Sequence, residues 1–173
     1  RTMVNRQPQD AERVYASGLY LSGNDQDDLA LAQIAALPRS AWTDNIRELE
    51  ARLQSDRVLR QANQLRDSGN EAQAIALIQQ QPDSVRYDLT LADWAQQRGD
   101  SQTAIAEYQR VLGQQSDNGD ARLGLAEVYL ADGDKNAARA QVAQLKGEDI
   151  DSINMQRRIA QAQAGLGDRA QAQ

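Results

Sequence analysis

The side chains best equipped for chemistry here are paired carboxylates and serines. Asp27-Asp28 and Glu148-Asp149 are adjacent acids, and Ser17, Ser22 and Ser68 carry hydroxyls. A glycosidase needs two carboxyls facing each other across a cleft, whereas these pairs fall at predicted turns or helix starts. There a carboxylate caps backbone amides and complements the helix dipole. The chain contains no histidine and no cysteine, which excludes a Ser-His mechanism, thiolate nucleophiles, disulfides and Cys/His zinc sites. Asp132-Gly133-Asp134 opens like a calcium loop, but the remaining ligands of the twelve-residue pattern are missing. No catalytic residue, metal site or cofactor is therefore expected.

The elements that must carry these residues are helical. Of the 173 residues 40% are apolar, many of them alanine, and phenylalanine is absent. Ala, Gln, Leu, Arg and Glu favour helix, while β-branched and aromatic strand formers are scarce. The formal charge of −6 is spread along the chain. The 17 arginines and two lysines, Lys135 and Lys146, form no cluster, so neither nucleic acid nor an anionic membrane surface is an expected partner. No apolar run is long enough to span a bilayer.

Periodicity carries the most information. Gly followed by Asp or Asn recurs at Gly23, Gly69, Gly99, Gly133 and Gly167, at intervals of 46, 30, 34 and 34 residues. Glycine can take the left-handed conformation that ends one helix, and the next residue can cap the following one. In a repeat counted from Val85, the seventh and eighth slots hold Leu91 and Ala92, the twentieth Ala104, the twenty-fourth Tyr108 and the twenty-seventh Val111. From Gly119 the series is Leu125, Ala126, Ala138, Val142 and Leu145; from Ile153 it is Ile159, Ala160 and Ala172. Repeats from Ser55 (Ala62, Leu65, Ala74, Ile78) and from Gln9 (Tyr15, Ala16, Leu19) follow the pattern less closely.

This pattern resembles the tetratricopeptide repeat, and it predicts an all-α solenoid of helical hairpins with a right-handed superhelix. Residues 1–40 form a first hairpin, 55–84 a short repeat, 85–118 and 119–152 two full repeats, and 153–173 a truncated one. Residues 41–54 are an inserted, unpaired helix that interrupts the stacking, either separate from or fused to the helix that runs on through Val58, Ala62 and Leu65. Trp42 plugs its start and Thr43-Asp44-Asn45 offers an N-cap before Ile46, Leu49 and Leu53, spaced as on an amphipathic helix. Pro82 stops the second helix of the short repeat. Arg1 opens and Gln173 stops within the pattern, so the chain reads as part of a longer polypeptide with a sticky C-terminal end.

Tetratricopeptide arrays line a concave face with their first helices. The resemblance places Asn63, Arg66, Arg86, Asp93, Gln96, Gln97, Glu127, Arg157 and Gln161 on that face as a partner groove. Trp94 neighbours it, either as a packing residue or as a sugar-stacking platform.

Longer stretches go beyond the generic repeat: M-V-N-R-Q-P-Q-D at Met3, G-L-Y-L-S-G-N-D-Q-D at Gly18, L-Q-S-D-R-V-L at Leu53, D-L-T-L-A-D-W-A-Q-Q-R at Asp88, and Q-R-R-I-A-Q-A-Q-A-G-L-G-D at the end. Together with the 46 and 30 intervals they resemble the exporter component of bacterial cellulose synthases over essentially the whole chain. That resemblance implies a periplasmic segment of a cellulose exporter anchored in the outer membrane by a β-barrel that is not in this chain. The expected role is a non-enzymatic scaffold for other synthase subunits or for periplasmic and cell-wall components. The alternative is a groove that guides the nascent β-glucan.

Overall fold

The computed structural model describes residues 7–145 and 153–167. Among them every regular element is helical, and contacts divide the chain into two units, Arg1–Gln81 and Pro82–Gln173.

In the first unit, α1 (Gln7–Gly23) and α2 (Asp27–Ala35) form a hairpin, followed by one 3₁₀ turn (Arg39–Ala41), the long α3 (Asp44–Asp67) and α4 (Glu71–Gln79). The hairpin turn corrects the expected register. Gly23 is the last residue of α1, and the left-handed residue is Asp25, at φ 57°. A short polar side chain tolerates that conformation where most residues do not. The small residue that admits close helix approach is likewise Gly18 rather than Ala16: a Cβ at Gly18 would lie 2.7 Å from Leu49 Cδ2, whereas Ala16 is exposed. Counting from Ala11 instead of Gln9 restores the pattern, with Ala11, Gly18, Leu21, Ala30 and Ile34 all buried.

The inserted segment does not end at Gln54: of the two readings, the fused one holds. It is continuous with the first helix of the short repeat, giving 24 helical residues and a rod about 36 Å long. Thr43 caps it as expected, its Oγ1 accepting from Ile46 N at 3.3 Å. The N-terminal half of α3 then lays Ile46, Leu49 and Leu53 over Ala11, Leu21, Ala30, Leu31 and Ile34, closing one apolar core. Trp42 packs half-buried against this core, donates from Nε1 to Leu37 O at 3.2 Å, and lies under the Arg39 guanidinium, 4.6 Å from the ring centroid. Asp27 is not a cap: it is 7% exposed and bound to Arg60 Nη2 of α3 at 2.8 Å. The C-terminal half of α3 pairs with α4 through the fully buried Ala62 and Ala74, and α4 ends three residues before Pro82.

The second unit keeps the period. Hairpins α5 (Val85–Gln97) with α6 (Ser101–Gln114) and α7 (Gly119–Ala131) with α8 (Lys135–Ala143) are followed by α9 (Ile153–Gly165). Gly99, Gly133 and Gly167 have φ of 77°, 85° and 81°, a region that only glycine enters without strain. The next residues, Asp100 and Asp134, accept from Thr103 N and Ala137 N. Asn70 has the same slot in the first unit but makes no side-chain cap bond. Ala104 and Ala138 are both wholly buried, as the close-approach slot requires. Tyr108, Val111, Leu125 and Val128 fill the seam between the hairpins. Lys146, Glu148, Asp149, Asp168 and Ala172 lie outside the described residues, so the structure does not bear on the sticky C-terminal end expected there.

Candidate functional site

In the second unit, successive first helices α5, α7 and α9 are joined by a chain of polar side chains. Tyr108 Oη, reaching over from α6, donates to Gln96 Oε1 at 2.9 Å. That bond turns the Gln96 amide so that Nε2 donates to Glu127 Oε2 at 2.9 Å. The other oxygen of the same carboxylate, Oε1, accepts from Arg158 Nε at 2.8 Å. Arg158 Nη1 lies 3.9 Å from Asp120. One carboxylate thus joins three helices.

The local fold explains the reach. Gln96 and Glu127 are 31 residues apart, as are Glu127 and Arg158. A 34-residue repeat less three residues, about one helical turn, brings a side chain opposite the preceding repeat. Ser101 and Asp132 follow the same offset near the turns, with Oγ donating to Oδ1 at 2.7 Å. Gly124 makes room for the phenol: a Cβ there would stand 2.3 Å from Tyr108 Cζ. Burial first, and then the anions Asp93 and Glu127, push the Tyr108 hydroxyl well above its usual range, so it stays protonated and donating.

Of the groove residues read from the sequence, Gln96 and Glu127 are brought together and are half-buried. Asp93 is exposed and accepts from Gln97 Nε2 at 2.9 Å. Arg86, Arg157 and Gln161 are exposed. Asn63 and Arg66 sit on α3 in the first unit, Asn63 exposed and Arg66 half-buried at 3.5 Å from Glu71. Trp94 is only 3% exposed. Of its two readings, this burial agrees with the packing residue and leaves little ring surface for a sugar. The sequence reading missed Arg158, Gly124 and the polar role of Tyr108. The 31-residue offset between complementary polar residues would have found the first.

A second polar cluster lies between α5 and α6. Asp88 is 4% exposed, and its Oδ2 has no hydrogen-bond donor, with Arg110 Nε at 3.8 Å. Glu107 Oε2 is also buried without a donor, while Arg110 bonds Asp83 at 2.9 Å. Burial pushes both Asp88 and Glu107 above the usual carboxylate range; Arg110 opposes this, and for Glu107 the Asp88 charge adds to it. Elsewhere the hydroxyls of Ser17 and Ser68 are engaged by Gln33 and the Gln64 carbonyl. Among the described residues no three Asp or Glu are grouped to hold a metal ion.

Paired antiparallel helices, left-handed glycines at a 34-residue period and small residues at the crossings define a tetratricopeptide-repeat array. The model of the Tetratricopeptide repeat family matches residues 95–162. Over its whole length the chain is 58% identical to a cellulose synthase operon protein C and to a putative cellulose synthase operon protein C, both of Escherichia coli. It is 56% identical over 168 residues to cellulose synthase operon protein C of Salmonella typhimurium, covering 97% of this chain. The likeness to these operon proteins therefore holds from end to end, and the chain is a tetratricopeptide-repeat region of that kind. It spans 15% of the length of the Escherichia coli relatives and 14% of the Salmonella one.

Proposed function

We propose that this region is a non-catalytic scaffold in a cellulose synthesis and export apparatus. In this reading it stands in the periplasm as part of a protein anchored in the outer membrane, and it holds other synthase subunits or cell-wall components on its groove face. The end-to-end identity with cellulose synthase operon proteins carries the reading. Its support in the structure is a face whose exposed groups, Asp93, Arg157 and Gln161, flank a ladder already satisfied within itself. Protein partners are favoured over the glucan. Sugars stack on exposed rings, and the burial of Trp94 withdraws the platform on which the guiding alternative rested.

Photo-cross-linkers placed at Arg157 and Gln161 in the full-length protein test this in cells making cellulose. Adducts with other synthase subunits or cell-wall components, absent from a control cross-linker at the exposed Ala106 of α6, are the expected result. Adducts only with glucan, or equal labelling from Ala106, would overturn the scaffold reading.

A further inference from the structure

We propose that Glu127 is a latch that sets the spacing of α5, α7 and α9, and thereby the width of the groove. A solenoid repeat contacts only its neighbours, so small changes of angle at each interface add along the array. Apolar packing between alanine-rich helices is non-directional and leaves such angles soft. A directional bond across the first helices removes that freedom. Glu127 has two such bonds, one from each carboxylate oxygen, to Gln96 on one side and Arg158 on the other. The Gln96 arm is itself oriented by Tyr108, and Tyr108 is admitted by the missing Cβ of Gly124. Four residues from four helices thus act, directly or through one another, on one carboxylate, whose side chain is 27% exposed, beside Arg158 at 38%. The Arg158 arm is charged on both sides and reachable by solvent ions, so salt weakens it; the Gln96 arm has one neutral partner and is less sensitive.

The latch predicts a graded loosening. Glu127→Ala frees both arms, Arg158→Met frees only α9, and Gly124→Ala displaces Tyr108 and loosens the Gln96 arm indirectly. Because the chain has no cysteine, Gln97→Cys on α5 and Ala160→Cys on α9 provide unique sites for spin labels. Pulsed electron paramagnetic resonance then reads the distance between them, and circular dichroism reads helix content. The expected result is a narrow distance distribution in the labelled parent that broadens in Arg158→Met and broadens further in Glu127→Ala, with helix content unchanged. High salt should broaden the parent toward Arg158→Met and leave Arg158→Met itself as it was. A folded Glu127→Ala whose distribution matches the parent overturns the latch. If Glu127→Ala does not fold, Arg158→Met decides: a distribution identical to the parent overturns the proposal and a broadened one sustains it. Neither outcome depends on which partner the face receives.

Discussion

The two units solve the same packing problem with different materials. Where the 34-residue period holds, α5 to α9 meet through small residues and are tied across one face by polar side chains at an offset of 31. Where the period is broken, the extra turns of α3 cover the first hairpin with Ile46, Leu49 and Leu53, and Arg60, further along the same helix, ties it through Asp27. A regular repeat can reuse a polar ladder because each step presents the same offset. An interruption destroys the offset, and an apolar lid, indifferent to register, takes its place. The first unit should therefore fail when its lid is cut, and the second when its small crossings or turns are altered.

The largest expected effect is in the lid. Leu53 is fully buried, and Leu53→Ala should cost about 2–5 kcal/mol through lost burial and the cavity left behind. Amide hydrogen exchange would accelerate through α1, α2 and the first half of α3, while α7 and α8 keep the parent's protection. Equal acceleration in both units would show that the division into two does not describe stability.

Next come the crossings. Ala104→Leu or Ala138→Leu inserts side-chain carbons where no space exists and should cost about 1–3 kcal/mol, read as a lower midpoint in urea at unchanged slope. A parent-like midpoint for Ala104→Leu would mean that the helices of the hairpin separate at little cost.

These crossings were legible in the sequence because a strict period and a steric requirement agree at Ala104 and Ala138. The first hairpin was legible but its register was not, since its turn lacks the glycine signal: Asp25 fills the left-handed slot and Gly23, two residues earlier, imitates it. The continuity of α3 across Gln54 was legible only as one of two alternatives, because it depends on helix propensity on both sides of the junction and no single residue decides it. The groove was legible as a face but not as a site. Slot numbers place Gln96 and Glu127 on first helices, yet which of them bond depends on the turn-sized slip between neighbouring repeats. Trp94 shows the converse, since its slot lies beside the groove while its ring is buried.

A smaller contrast concerns the caps. Asn118 Oδ1 accepts from Ala121 N at 2.9 Å, so Asn118→Ala should cost about 1 kcal/mol. Asn70 makes no such bond, and Asn70→Ala should lie within about 0.5 kcal/mol of the parent, as surface changes usually do. Denaturant midpoints of the two variants, measured side by side, check the difference. Equal losses would mean that Asn70 stabilises the chain by another route.

The smallest expected effect is a dependence on pH seated in the second unit. Asp88 and Glu107 have carboxyl groups raised in the folded state, first by burial, and each has an oxygen that no donor reaches. Arg110 and Asp83 act on Asp88, and Asp88, Arg110 and Asp83 act on Glu107; the arginine offsets part of the cost in both. A raised folded pKa means that the folded state binds protons more tightly than the unfolded chain. The stability these two groups contribute is therefore full below the ordinary carboxylate pKa of about 4, and it is lost as pH rises through their raised values. Asp100 runs the other way: its bonds to Thr103 hold it low, so its cap weakens in acid, and a melting curve of the parent alone mixes the two trends. The difference between parent and variant separates them. Glu107→Gln removes one titrating group and with it the repulsion that Asp88 exerts on the Glu107 charge. Relative to Glu107→Gln, the parent should gain stability as pH falls from 7 toward 4, measured as the difference in urea midpoint at each pH. A difference that stays flat, or that reverses sign, would show that the Glu107 carboxyl titrates as freely in the folded protein as in the unfolded chain.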